Sequence, residues 1–168
     1  MPVLSDYARK RKIEYFVKEL PKQSKILEVG CGDGYLGSYL KGTGYSNYVG
    51  LDLAGPADVV GNILEWRALG IKPESFDVIF AFELIEHVDC IQHMFDILRP
   101  GGLLMLTSPL PHMDWLCLLL ERLGLSQRRT SPHSRLIYFK DLSLFEPVEV
   151  KIVGGIAQWG KFRKPIRT

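Results

Sequence analysis

The sequence predicts an α/β fold: one doubly wound, mainly parallel sheet with helices on both faces. Three observations predict it. Short apolar runs alternate with amphipathic segments along the chain, as crossover helices between parallel strands require. The run "KILEV" passes directly into "GCGDGYLGSYL", where Gly30, Gly32 and Gly34 precede a helix-like stretch. A later run, "NYVGLDL", closes on an acid, Asp52. Glycines after a first strand and an acid after a second mark the ligand-binding end of an open parallel sheet.

The elements follow in order. Ser5 or Asp6 can cap a helix that runs to about Leu20, with Ile13, Phe16, Val17 and Leu20 at helical spacing and Pro21 as its stop. "KILEV" is a buried strand that carries one acid, Glu28. "GYLGSYLKG" is a helix closed by Gly42 or Gly44, and "NYVGLDL" is a strand. Between Asp52 and Ala57 there is no room for a helix, so the one expected between the second and third strands is missing. "ADVVGNI" then either crosses back as an extended loop or is not a regular parallel strand. "SFDVIFAF" is a strand. "HVDCIQHMFDIL" is a helix with Val88, Ile91, Phe95 and Leu98 on one face, stopped by "RPGG". "LLMLTS" is a strand, residues 113–124 a helix, and "PVEVKIVGG" a late strand followed by a final strand and hairpin. One domain over 1–168 is expected: an N-terminal helix (1–22), a ligand-binding core (23–109), a variable cap (110–140), and a C-terminal strand region with a basic tail (141–168).

Composition narrows the function classes. The chain has 168 residues, a net charge of +2 and 24% charged residues, which argues against a strong polyanion partner, nucleic acid included. The tail "KFRKPIRT" holds Lys161, Arg163, Lys164 and Arg167 and no acid. It reads as solvated, with a phosphate or membrane-surface contact as the sharper alternative. Three scattered cysteines, Cys31, Cys90 and Cys117, point to a reducing compartment, without a disulfide framework or a structural zinc. No apolar leader stands at the N-terminus, and the most apolar run, Trp115 to Leu125, is too short to span a bilayer. A cytoplasmic location is therefore expected. That apolar run reads as core or lid packing, or as a weak lipid-surface contact.

Two cofactor readings survive the glycines. Gly32 to Gly37 satisfies G-x-G-x-x-G with Asp52 twenty residues on, the form of an NAD-type dinucleotide fingerprint. That frame gives the glycine nearest the strand, Gly30, the wrong spacing and leaves Glu28 unexplained.

The motifs "ILEVGCGDGYLGSYL" and "YVGLDL" resemble the first two motifs of class I S-adenosylmethionine-dependent methyltransferases, a Rossmann-like family. "SFDVIFAFELIEHV" and "ILRPGGLLMLTSP" resemble the fourth- and fifth-strand motifs of the type 11 branch. The segment "PHSRLIYFKDL" more loosely resembles the variable part of methyltransferases from sugar and cell-envelope pathways. The resemblance implies S-adenosylmethionine as cofactor and a small-molecule or glycan acceptor. It implies that Gly30, Cys31 and Gly32 line the methionine part, with Glu28 beneath the loop and Gly34 opening the helix. It places Asp52 on the ribose hydroxyls, Leu53, Asn62 and Ile63 around the adenine, and Phe82 and Glu83 at the methionine end. Asn62 replaces a frequent aspartate, and its carbonyl can still accept a hydrogen bond.

For chemistry, His87 in "IEHV" and His133 in the cap are the candidate bases, each with a structural hydrogen-bonding role as the alternative. Glu83 and Glu86 can also be read as helix-entry charges. His87 and His93 are six residues apart and share no helical face, so no metal is expected. A different class stays open: a cofactor-binding module without transferase activity that acts through a partner.

Overall fold

The computed structural model describes residues 3–124 and 136–166. The elements are α1 (Val3–Val17), β1 (Ile26–Val29), α2 (Tyr35–Gly42), β2 (Tyr48–Asp52), β3 (Val59–Val60), β4 (Phe76–Phe82), α3 (Ile91–Ile97), β5 (Leu98–Pro109), α4 (Asp114–Arg122), β6 (Glu146–Val153) and β7 (Ala157–Arg163). One seven-stranded sheet runs in the order β3-β2-β1-β4-β5-β7-β6. Neighbouring strands from β3 to β5 pair in parallel, and β7 lies antiparallel between β5 and β6. The winding reverses between β1 and β4, which opens a crevice at their carboxyl ends.

The two faces of the sheet carry two cores. α1 and α2 cover one, where Phe16, Val17, Leu36 and Leu40 pack on Ile26, Val78, Phe80, Met105 and Trp159. α3 and the short turns cover the other, where Trp66, Met94, Ile97 and Phe139 pack on Leu27, Ile79, Leu104, Leu106 and Phe162. All four β1 residues are buried, as a central strand covered on both faces requires.

The crossover from Asp52 to Val59 contains no helix. It runs through a series of bends, and the two-residue β3 pairs in parallel with Leu51 and Asp52. Elsewhere the structure departs from the sequence reading. α1 ends at Val17 rather than near Leu20. The helix expected from His87 is confined to Ile91–Ile97, because residues 85–87 form a turn and Cys90 takes the cap position. "RPGG" is not a stop: those residues already belong to β5, with Gly101 at φ 74 donating its N–H to the Lys164 carbonyl and the Gly102 carbonyl accepting from Lys164 N–H.

The basic tail is the clearest correction. Lys164 is only 2% exposed. Its Nζ donates to the carbonyls of Phe95 (2.9 Å) and Leu98 (2.8 Å) and to Glu74 Oε1 (3.0 Å). It caps the C-terminal end of α3, whose last carbonyls have no partner within the helix. Lys161 pairs with Glu149 at 3.2 Å, and Arg163 donates to the Gly101 carbonyl. A strand that returns along β5 uses these cations for fastening.

Lys164→Met should therefore lower stability by about 2–4 kcal/mol, since two buried carbonyls lose their donor. Urea unfolding measures it, and a loss under about 0.5 kcal/mol would show that water replaces the ammonium.

Candidate active site

The loop after β1 is built on bare backbone. Gly30, Gly32 and Gly34 hold φ of 77, 54 and 73, the left-handed region that glycine enters at little cost. A Cβ on Gly32 or Gly34 would project into open space, so none of the described residues fills that side of the loop. The N–H groups of Gly30 and Cys31 donate to the Leu51 carbonyl, which pins the loop to the end of β2. Gly32 N–H donates to Asp52 Oδ2 at 2.8 Å. Asp52 thus stands at the loop, with exposed Leu53 beside it.

Glu28 lies beneath this loop and is buried. In register it sits between Gly50 of β2 and Phe80 of β4. The Tyr48 hydroxyl donates to its Oε2. Burial pushes Glu28 up to about 7; the Tyr48 hydrogen bond opposes this, and Asp33 and Asp52 add to it. Burial, together with the charge of Glu28, also raises Tyr48, so the phenol remains a donor. Two glycines make room for this pair. A Cβ on Gly37 would lie 2.6 Å from the Tyr48 ring, and one on Gly50 2.8 Å from its hydroxyl. Gly37, the last glycine of the dinucleotide-like pattern, has a packing role.

Across the crevice, Glu83 follows β4 in a left-handed conformation, φ 50, which is strained for a residue with a side chain. Its Oε1 accepts from Lys12 Nζ at 2.9 Å and Thr107 Oγ1 at 2.7 Å. Desolvation opposes ionisation, but the Lys12 ammonium and the hydrogen bonds from Lys12 and Thr107 hold its carboxyl below the usual range. Glu86 is fully buried and accepts from Ser108 Oγ at 3.2 Å. Burial and the neighbouring Glu83 charge raise its carboxyl well above the usual range, to about 9. Neither acid is a helix-entry charge, since α3 begins later.

Sequence reading expected the N-terminal helix at the acceptor pocket but did not single out Arg9 and Lys12. Arg9 pairs with Asp33 at 2.8 Å and lies 4.4 Å from the Tyr35 ring centroid. With the Lys12–Glu83 pair, it lays α1 across the glycine loop. The run "RKRK" was the available signal, but helical phase alone did not say which cations turn inward. Gln158 was also missed. Its Nε2 donates to the carbonyls of Pro109 and Ile137, and its Oε1 accepts from Phe139 N–H.

The remaining candidates divide. Gly61 N–H donates to the Asp52 carbonyl, which brings Asn62 to the Asp52 end of the crevice. Asn62 caps a short turn, its Oδ1 accepting from Leu64 N–H at 3.0 Å. Ile63 is packed into the core, whereas Leu64 is exposed. Phe82 is half-buried between Phe16 and Lys12. Cys31 is buried, and burial pushes its thiol up to about 11, which makes it unreactive. His87 is half-buried in the turn after Glu83. His133 lies outside the described residues. Among the described residues, no group of three or more His, Cys, Asp or Glu side chains is placed to hold a metal, and no helix is long and apolar enough to cross a membrane.

Comparison with known proteins gives this geometry its family. A methyltransferase-domain family profile matches residues 5–144. The chain belongs to the methyltransferase-domain family. It is a class I S-adenosylmethionine-dependent methyltransferase domain of the type 11-like branch, with S-adenosylmethionine as the cofactor; the dinucleotide reading is overturned. A ubiquinone biosynthesis O-methyltransferase of Actinobacillus pleuropneumoniae is 30% identical over 129 residues, 64% of this chain and 52% of the relative. A Mycolicibacterium smegmatis protein named "Probable S-adenosylmethionine-dependent methyltransferase" is 33% identical over 100 residues, 50% of this chain and 37% of the relative. The chain thus spans about half or less of the curated relatives it matches. The fold is that of the methyltransferase in complex with the Trm112 activator of Haloferax volcanii (TM-score 0.70, 13% identity, 95% of this chain and 89% of that one). It is also that of the N-methyltransferase NodS of Bradyrhizobium japonicum (0.63, 18%, 95% and 97%). The donor set suits the cofactor: a carboxylate for hydroxyls, bare backbone for close approach, and open space above the glycines.

The buried acid gives a pH signature. The folded protein keeps a proton on Glu28 that the unfolded chain has already released, so stability falls as pH rises from about 4.5 to about 7. Glu28→Gln should narrow the difference in unfolding free energy between about pH 5 and about pH 7 by roughly 1–3 kcal/mol. Glu86 retains its own slope of the same sign. Parallel slopes for wild type and variant in urea titrations at the two pH values would contradict the assignment.

Proposed function

We propose that this domain transfers the methyl group of S-adenosylmethionine to a hydroxyl oxygen of a small molecule. The observation that carries the reading is a buried carboxylate, Glu28, beneath three left-handed glycines, with Asp52 drawn onto the loop from the next strand. The names of the curated relatives supply the oxygen acceptor, and hydroxylated precursors in ubiquinone biosynthesis are the first acceptors to test.

When bound, the cofactor supplies a methyl group already activated on a sulfonium. The chain's residues do the rest. Gly30, Cys31 and Gly32 offer backbone to the methionine part, and Gly34 lets the helix begin without obstructing it. Asp52 would exchange the Gly32 N–H for ribose hydroxyls, and Leu53 and Asn62 would hold the adenine. The Asn62 carbonyl is engaged in its cap, so its amide N–H groups carry the contact. Ile63 supports this edge from the core. Phe82 and Glu83 form the reacting end, with α1 closing over it. Aligning acceptor and methyl group, with water excluded, can supply ~7–11 kcal/mol of the barrier. His87 takes or orients the hydroxyl proton, and His133 is the second candidate.

Calorimetry tests the site first. S-adenosylmethionine and S-adenosylhomocysteine should bind and NAD should not; binding of NAD alone overturns the proposal. Gly32→Val should abolish binding, because its branched side chain enters the open space above the loop and resists φ 54. Asp52→Asn should weaken it by about tenfold through loss of charge-assisted hydrogen bonds.

With an acceptor in hand, His87→Ala should slow turnover by ~10²–10⁴ at unchanged cofactor affinity. Turnover within a few-fold of wild type in both His87→Ala and His133→Ala would leave positioning as the whole mechanism.

A further inference from the structure

The methyl-transfer reading leaves Glu86 without a role. It is 0% exposed in the turn after β4, where an acid is costly to bury. Its surroundings tie it to Glu83. Thr107 and Ser108 are consecutive buried residues of β5, and each gives its hydroxyl to one of the two acids. Thr107 Oγ1 donates to Glu83 at 2.7 Å, and Ser108 Oγ to Glu86 at 3.2 Å. The two carboxyls also hydrogen-bond each other. That bond needs one proton between them, since two ionised carboxylates so close repel. The Lys12 ammonium lies 2.9 Å from Glu83, so Glu83 keeps the charge and Glu86 keeps the proton and donates it.

Glu83 is itself held against its conformational preference. A glycine would take its φ of 50 freely. The side chain kept there is fastened by Thr107 and Lys12, and its N–H donates to the Thr107 carbonyl at 3.0 Å. Strain so thoroughly fastened points to a carboxylate whose direction matters. The next residue reaches the glycine loop, because a Cβ on Gly30 would lie 3.2 Å from Leu84 Cδ1. Glu83 therefore stands beside that loop, with its side chain 42% exposed. Around the loop Asp33, Asp52 and Glu83 face Arg9 and Lys12, which leaves negative charge in excess.

That excess suits one partner of the reaction better than the other. S-adenosylmethionine carries a positive sulfur, and S-adenosylhomocysteine, left after the methyl group departs, carries a neutral one. A fixed carboxylate attracts the first more than the second. We propose that Glu83 selects the charged cofactor over the spent product, and that Glu86 is the positioning residue that, as a neutral acid, holds the Glu83 carboxylate in place. The inference rests on the methyl-transfer reading.

Calorimetry on the full chain gives the ratio of the two dissociation constants, with the melting temperature recorded beside it. Glu83→Gln, at a partly exposed position, should shift the ratio by about tenfold against the cofactor. Glu86→Met, which removes the donor at similar volume, should shift it the same way by about threefold or more, and in the Glu83→Gln background should move it no further. Glu86→Gln, whose amide still donates, should keep the wild-type ratio. If Glu86→Met does not fold, Glu86→Asp, which draws the acid away from Glu83, is read in its place. An unmoved ratio in Glu83→Gln overturns the selection. Equal weakening of both ligands in the Glu86 variant makes Glu86 a structural acid and overturns its positioning role. Wild type that binds neither ligand overturns the methyl-transfer reading and this inference with it.

Discussion

A single buried carboxylate organises this site. Glu28 sits in the middle of the sheet, where an ionised group is costly unless hydrogen-bonded. Tyr48 supplies the bond from the neighbouring strand. Its ring must lie flat against α2 and β2 to do so, which fixes Gly37 and Gly50 as residues without a side chain. The requirement of one acid thus propagates to a tyrosine and two glycines, and then to the closeness of α2 to the sheet. The loop above inherits that geometry, because its N–H groups are tied to Leu51 and Asp52 on the same strand.

The second constraint acts from outside the sheet. α1 rests on the core through Phe16 and Val17, while Arg9 and Lys12 reach across the crevice to Asp33 and Glu83. These partly exposed ion pairs are weak individually. They join α1 to the loop on one side and to the end of β4 on the other, so the helix spans the crevice. Glu83, held in a left-handed conformation, is the residue most dependent on that arrangement.

The parallel sheet and the absent helix after Asp52 were legible in the sequence, because they follow from periodicity and chain length, whereas the placement of Glu28 beneath the glycines came only with the family likeness. The family likeness was legible in four ordered motifs. What could not be read were roles set by tertiary partners. Lys164 looks like a tail cation and is a buried helix cap, a difference visible only once β7 runs beside β5. Asn62 looks like a ligand contact and is a cap as well. Ile63 and Leu64 are adjacent apolar residues, and nothing local tells which one faces the core. The turn over residues 85–87 defeated the helical reading because Glu86 is buried through Ser108 of β5 instead of facing solvent.

Gln158 has a consequence for how such a domain can diversify. One amide nitrogen gathers the carbonyls of Pro109 and Ile137, and the matching oxygen takes the N–H of Phe139. The 27 residues from 110 to 136 thus leave and rejoin the framework at a shared clasp on β7. The closure entropy of such a loop grows only logarithmically, about 0.6 kcal/mol for each doubling of its length. Lengthening, shortening or exchanging this stretch therefore barely taxes the sheet or the glycine loop. This stretch and the glycine loop are thus separable parts, free to drift at different rates on one scaffold.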